Sequence, residues 1–301
     1  MKKFDVVILS ERRYVNPVKV DAYVKNLLLE DDLVKKALEK EGLKVTRLSW
    51  DDPDFNWSDT KYILFRTTWD YFDRFTEFSA WLKKVSQQTK LINSEAIIRW
   101  NLDKHYLLDL QNKGVHICES YFVEKGETAS LQEIVTKYNL KNFVLKPCIS
   151  GGGRHTYKIT SETIAAHETT FKKLIKEEAY IVQPFQKNIV EKGEISLIII
   201  IGDFTHAFLK IAKPGDFRVQ DDFGGTVHDY TPTSEEIAFA EKAIKACNEL
   251  PLYARVDIFT DNDNKLAIAE LELIEPELWF RNHPEAAIKL SQPIKQLITP
   301  N

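Results

Sequence analysis

Residues 253–275 read YARVDIFTDNDNKLAIAELELIE, and the rest of the chain is best read outward from this stretch. Two apolar-rich runs flank an Asp/Asn cluster, which signals a hairpin with a loop longer than two residues. Alternate side chains of a strand share a face, so Arg255 and Asp257 point one way and Val256 and Ile258 the other. The second run sets Glu270 and Glu272 on one face and Leu271 and Leu273 on the opposite one. A register that pairs the two polar faces brings Asp257, Glu270 and Glu272 onto one sheet surface. Removing an ionised carboxylate from water is costly, so three together require a compensating cation. Hard oxygen donors suit Mg2+ or Mn2+, and Mg2+ commonly takes one or two carboxylates plus a substrate's phosphates. The alternative is a polar strand face that simply meets solvent. A calcium loop starting at Asp261 would place Glu272 twelfth, but Lys265 stands where a ligand is needed and Leu266 where glycine must turn the chain. That reading fails.

At 301 residues the chain is long enough for two or three packed units. A hydrophobic content of 44% and a charged content of 29% are those of an ordinary globular protein. The net charge of −4 argues against a general nucleic-acid binder, which would carry a basic face. Cys118, Cys148 and Cys247 are odd in number and far apart, which suits a reduced, cytoplasmic protein rather than a disulfide framework or a zinc site. The opening MKKFDVVILSERR is interrupted by Asp5 and lacks a small-residue cleavage site, so it reads as a first strand and not a signal peptide. No apolar run reaches membrane-spanning length, and no membrane partner is expected.

Residues 4–10, 45–48, 62–65 and 91–93 read as strands, alternating with helices over 21–41 (Gly42 a plausible cap) and around 77–87, which predicts a small open parallel sheet. Ligands of such sheets sit beyond the carboxyl ends of the strands. There the chain carries Arg66-Thr67-Thr68-Trp69-Asp70-Tyr71, either a polar substrate contact through a guanidinium, two hydroxyls and aromatics, with Arg66, Trp69 and Asp70 foremost, or a structural turn with Trp69 buried. Residues 94–114 read as a helix broken near Asn101 and carry Lys104, which alone would be an ordinary solvated lysine. A strand at 121–123 and a helix over 131–138 begin a second, α+β unit.

Phe143 to Pro147 is a strand containing Lys146, followed by Cys148-Ile149-Ser150-Gly151-Gly152-Gly153-Arg154-His155. Three successive glycines let the backbone take positive φ and aim N–H groups at an anion, and the flanking lysine and arginine favour phosphate. The loop matches neither a Walker loop nor a dinucleotide fingerprint. Cys148 reads as a buried thiol or, more sharply, a nucleophile, although no histidine partner is evident. A helix over 162–178 and the strand Tyr180-Ile181-Val182-Gln183-Pro184-Phe185-Gln186 follow. Its proline frees backbone groups that an adenine edge or a domain linker would use. Residues 194–203 form a central strand with a turn at Gly202-Asp203, and residues 204–212 return carrying Lys210. Residues 213–226 read as a long covering loop with Arg218. A helix over 234–248, with Ser234 near its cap, the hairpin, and a helix around 285–291 complete the chain.

In this order, a helix lysine, a strand lysine, a glycine loop, a Gln-Pro-Phe hinge and an Asp…Glu-x-Glu hairpin resemble the ATP-grasp superfamily on its glutathione-synthetase-like side. The resemblance covers nearly the whole chain, and Arg255-Val256-Asp257 with Glu270-Leu271-Glu272 carries it most specifically. It implies an α/β and α+β fold of three parts: an open parallel-sheet domain over 1–93, a central lid over 94–186, and an antiparallel-sheet unit with the metal site over 187–301. By resemblance, Asp257, Glu270 and Glu272 hold Mg2+ (or Mn2+), and Lys104 and Lys146 touch the phosphates or base of ATP. Ser150, Gly151, Gly152, Gly153 and Arg154 cover the phosphates, Gln183 and Phe185 line the adenine cleft, and Glu194 faces the ribose. Arg218 and Arg255 stabilise the transferring phosphoryl group. Many relatives have Asn where this chain has Glu272, but glutamate still ligates Mg2+. Arg66 to Tyr71 and Leu273-Ile274-Glu275-Pro276 look nearest a branch containing the cycloserine-forming ligase. The implied activity is an ATP-dependent ligation of a small-molecule or peptide carboxylate to an amine through an acyl phosphate. A small-molecule kinase on the same fold and a non-catalytic nucleotide-binding module are the alternatives, and a homodimer is left open.

Overall fold

Strand β1 (Phe4–Ser10) carries Val6, Val7, Ile8 and Leu9, all buried, a continuous apolar run that suits a parallel strand covered on both faces. The computed structural model describes residues 2–219 and 223–299. After a short helix α1 (Arg12–Val15), α2 (Ala22–Lys40) starts where Asp21 accepts a hydrogen bond from the Val24 N–H, and it stops just before Gly42 at φ +80°. Strands β2 (Val45–Ser49), β3 (Thr60–Thr67) and β4 (Lys90–Ile92), with α3 (Phe75–Val85) between the last two, complete a parallel sheet of order β2-β1-β3-β4.

The expected break near Asn101 separates α4 (Glu95–Asn101) from α5 (Tyr106–Asn112). Asn101 is spent on another element: its side chain donates to the Leu271 carbonyl at 2.7 Å and accepts from the Leu273 N–H at 2.9 Å. A second sheet, of order β5-β8-β6-β7, is antiparallel. It contains β5 (Tyr121–Val123), β6 (Asn142–Pro147), β7 (Tyr157–Thr160) and β8 (Tyr180–Pro184), covered by α6 (Leu131–Tyr138) and α7 (Ile164–Leu174). Strand β7 was not expected from sequence; it makes the glycine loop the tip of a β6–β7 hairpin.

Helix α8 (Lys187–Lys192) leads to a five-stranded antiparallel sheet of order β11-β10-β9-β12-β13. Its strands are β9 (Glu194–Ile200), β10 (Asp203–Ile211), β11 (Thr226–Tyr230), β12 (Tyr253–Thr260) and β13 (Leu266–Glu272). Helix α9 (Ser234–Lys245) precedes β12, and α10 (Pro284–Ile298) ends the described chain.

Three sequence expectations change and one is refined. The β9–β10 turn is Ile201-Gly202, at φ +52° and +81°, one residue earlier than expected. The cap of α9 is Thr233, reciprocally bonded with Glu236, with Ser234 next to it as expected. Helix α10 runs past Pro293 to Ile298, because Leu290, Pro293, Ile294 and Ile298 are buried and that packing outweighs one lost backbone bond. The expected covering loop ends at Thr226 in an unexpected strand, β11, a mostly exposed edge with a weak apolar pattern; residues 220–222 of that loop lie outside the described residues.

The five-stranded sheet organises the core. One face, with Leu197, Ile199, Val256, Ile258 and Leu271, packs on α9 and on α4 and α5 through Ile97, Tyr106, Leu107 and Leu110. Residues 94–114 thus pack on this sheet, in a cluster that also takes in Cys148 and Ile181 of the lid. The other face changes character along its length. Ile198, Ile200 and Tyr253 bury against α10, Val6 and Ile8, whereas Glu194, Ser196, Arg255 and Asp257 occupy its far end.

Candidate active site

The hairpin register fixes that polar end. Arg255 lies opposite Glu272 and Asp257 opposite Glu270, so the alternation read from sequence places all four side chains on one surface. Strand β9 sets Ser196 opposite Asp257, and β10 sets Lys210 opposite Glu194. Asp257 is 2% exposed and both its oxygens are engaged. Oδ1 accepts from Ser196 Oγ at 2.6 Å and Arg255 Nε at 2.9 Å, and Oδ2 from Lys210 Nζ at 2.9 Å and Arg255 Nη2 at 2.9 Å. Burial alone would raise its pKa; Arg255 and Lys210 more than reverse this and hold it well below the usual carboxylate range. Lys210 also lies 2.5 Å from Glu194, whose pKa burial raises.

Glu270 and Glu272 are more open. Glu270 Oε1 pairs with Lys104 at 2.9 Å, and Glu272 Oε1 with Arg255, leaving one oxygen of each without a hydrogen bond among the described residues. Lys104 opposes burial and lowers the pKa of Glu270, whereas burial pushes Glu272 up to about 7. Lys104 sits in the break between α4 and α5 and also donates to the Ser150 carbonyl at 2.7 Å. The break therefore turns what would be a solvated helix lysine inward. Lys146 is held on β6 with its pKa lowered by burial, and its ammonium makes no hydrogen bond or ion pair among the described residues.

Two of the three loop glycines have little room for a side chain. A Cβ on Gly151 would meet the Phe72 ring at 2.7 Å, and one on Gly153, at φ +68°, would meet the Phe223 ring at 2.9 Å. These loop residues, Lys104, Lys146, Gln183, Phe185, Glu194, Arg218, Arg255, Asp257, Glu270 and Glu272 line one cleft between the second and third sheets. Arg218 is paired with Asp216 at 2.8 Å and lies over Phe223 at 3.6 Å.

Four expected residues are not brought into the cleft lining. Arg154 turns away to pair with Glu178 at 2.9 Å and Asp73 at 3.0 Å, pinning the root of the loop. Arg66 is 2% exposed, near Glu30 and Asp31, and donates to the Pro276 carbonyl at 3.1 Å. Trp69 Nε1 donates to the Glu275 carbonyl at 2.9 Å, and Asp70 accepts from Trp50 and Arg74 at 2.7 and 2.8 Å. These three hold the 275–276 backbone and the turn after β3, the structural-turn alternative. Tyr71 of the same stretch does line the cleft, hydrogen-bonded to Glu275. Burial next to Glu272 pushes Glu275 up to about 8.

Lys210, Ser196 and Glu275 carried no role in the sequence reading, and Tyr71 entered it only as one of the aromatics of the 66–71 stretch. Strand alternation with a β9 register would have found Ser196 and Lys210. Tyr71 and Glu275 meet only through contacts between distant segments. Among the described residues, no helix is long and apolar enough to cross a membrane.

Known proteins resemble this chain over most of its length. Residues 6–93 match the family described as the N-terminal domain of D-cycloserine synthetase DcsG. The cycloserine biosynthesis protein DcsG of Streptomyces lavendulae is 27% identical over 285 residues, covering 88% of this chain and 92% of that protein. The crystal structure of D-cycloserine synthetase DcsG superposes with a TM-score of 0.84 at 23% identity, covering 98% of this chain and 99% of the other. The D-alanine–D-alanine ligase of Bacillus anthracis, solved with ATP, gives 0.64 at 14% identity, covering 98% and 100%. The RimK-like ATP-grasp domain matches residues 106–273, more than half of the chain, which therefore belongs to the RimK-like ATP-grasp family and is an ATP-dependent ligase.

Proposed function

We propose that the protein joins a small-molecule or peptide carboxylate to an amine through an acyl phosphate, releasing ADP and phosphate. The observation that carries this reading is one cleft holding two carboxylates with open oxygens, Glu270 and Glu272, and the unpartnered ammonium of Lys146 beside a glycine-tipped hairpin. Relatives named for cycloserine and D-alanine support a small amino-acid substrate.

The donor set fits Mg2+, which favours a few carboxylates plus phosphate oxygens. Glu270 and Glu272 would hold it, while Asp257, already saturated by Ser196, Arg255 and Lys210, would join only by exchanging one of those contacts. Bound there, the ion would supply charge neutralisation at the β- and γ-phosphates of ATP. Lys146 and Lys104 add positive charge along the phosphates, and the N–H groups of 151–153 cap them. Gln183 and Phe185 receive the adenine and Glu194 the ribose. Arg255 and Arg218 face the transferring phosphoryl group, and their ion pairs with Asp257 and Asp216 fix them before it arrives. Closing the glycine loop keeps water from the acyl phosphate. Glu275, hydrogen-bonded to Tyr71 and raised by burial to about 8, is the carboxyl we assign, in its ionised form, to take the incoming amine's proton.

The test supplies ATP, Mg2+ and single amino-acid carboxylates, with hydroxylamine in place of the amine. A productive substrate yields a hydroxamate as ADP accumulates. Glu270→Gln and Glu272→Gln abolish both with the fold retained, whereas Asp263→Asn, in the hairpin loop, changes little. A stable phosphorylated product without hydroxamate would make the protein a kinase.

A further inference from the structure

We propose that Asp103, His105 and Cys148 form a second metal site, for a thiophilic divalent cation of the zinc class, beside Lys104 and at the root of the glycine loop. Each offers one ligand atom, and these atoms all lie within 4.8 Å of one another. One sulfur, one imidazole nitrogen and one carboxylate oxygen are the donors zinc takes, and a fourth tetrahedral position remains for water. An all-oxygen set such as Glu270 and Glu272 suits a harder ion.

The histidine is already oriented for this. Its Nε2 lies 3.0 Å from Glu124 Oε1 and its ring stacks on Phe122 at 4.2 Å, so the far nitrogen is held by an outer carboxylate as metal-ligating histidines are. Nδ1 faces Asp103 Oδ1 at 2.5 Å, a direct hydrogen bond that a shared ion would replace, since tetrahedral ligands at about 2.0–2.2 Å from zinc stand about 3.3 Å apart. The two chain segments are joined independently of any ion, because the Lys104 N–H donates to the Cys148 carbonyl at 2.9 Å.

The same geometry decides what Cys148 is. A histidine partner absent from the sequence pattern is supplied by the fold. Yet the thiol is 1% exposed, lies outside the cleft lining, and has its pKa raised by burial, which disfavours a nucleophile. A cation instead displaces the proton: the S–H bond breaks, an S–metal bond forms, and the proton passes to water. The inference does not rest on the ligase reading, since it needs no nucleotide.

The experiment titrates the nucleotide-free, full-length protein with Co2+ and reads the near-ultraviolet band that only sulfur-to-cobalt charge transfer gives. The expected result is a band that saturates with a single ion, is erased by Zn2+ and is accompanied by proton release. It is lost in Cys148→Ser, kept in Cys118→Ser and in Glu270→Gln, and Glu124→Gln weakens Co2+ binding by roughly 10–100-fold. His105→Ala, at a part-exposed position, tests the site should Cys148→Ser not fold, and it too should lose the band. Absence of the band at saturating Co2+, or its persistence in His105→Ala, would overturn the proposal.

Discussion

Replacing Lys210 with methionine keeps most of the buried stem and removes the charge shared by Glu194 and Asp257. Its ammonium lies 2.5 Å from one carboxylate and 2.9 Å from the other, and the residue is 5% exposed. Breaking a buried ion pair from one side costs roughly 3–5 kcal/mol, because the partner is left uncompensated. Asp257 retains Arg255 and Ser196, so the deficit falls mainly on Glu194. Burial already raises the pKa of Glu194, and it can escape by taking a proton, which brings the expected loss to about 2–3 kcal/mol at neutral pH. The assay is urea unfolding without nucleotide, comparing midpoints at equal slope. Lys210→Met/Glu194→Gln removes the stranded charge and should recover at least about half of the loss. The deficit of the single variant should also shrink towards pH 5. A folded-state pKa above the ordinary 4.5 leaves no penalty below that value, and the penalty grows as pH rises. A single variant losing under about 0.5 kcal/mol, or a double variant no more stable than the single, would refute the network as described.

Three further outcomes follow from the same structure. Lys146→Ala should weaken binding of a Mg2+–ATP analogue by ~1.5–3 kcal/mol, the value of a charge-assisted phosphate contact, and calorimetry showing parental affinity contradicts the phosphate role. Arg66→Ala should cost about 3–5 kcal/mol of stability, read by urea unfolding, with affinity for the nucleotide nearly unchanged. A fall in that affinity without loss of stability would return Arg66 to the site. Finally, burial next to Glu272 keeps Glu275 protonated in the folded state up to about 8, whereas the unfolded chain releases that proton near 4.5. Stability of the nucleotide-free protein should therefore decline as pH rises from about 5 to 8, and Glu275→Gln should flatten part of that slope. An unchanged slope would contradict it.

Local pattern carried most of the site. The period-two alternation of β12 and β13 was enough to gather Arg255, Asp257, Glu270 and Glu272, because a buried apolar face forbids the other register. The glycine run was legible as an anion loop, but its position at a hairpin tip depended on β7, four residues long and weakly patterned. Arg66, Trp69 and Asp70 show where sequence adjacency misleads. A stretch beyond a parallel strand can face the ligand or brace the backbone beside it, and that depends on what residues 275–276 do, over 200 positions later. Lys104 was legible only by resemblance, since its inward turn comes from Asn101 being tied to β13. Glu275 was opaque for the same reason: its environment, including the hydrogen bond with Tyr71, is made by packing between segments.

The central claim, that a substrate carboxylate is activated in this cleft by the γ-phosphate of ATP, is tested most directly by following its oxygen. The acyl substrate is labelled with 18O in its carboxylate and turned over with ATP, Mg2+ and the amine. The account predicts one labelled oxygen in the released phosphate, since the carboxylate oxygen that attacks phosphorus leaves with it when the amine displaces it. Unlabelled phosphate alongside a formed amide would contradict the acyl-phosphate route.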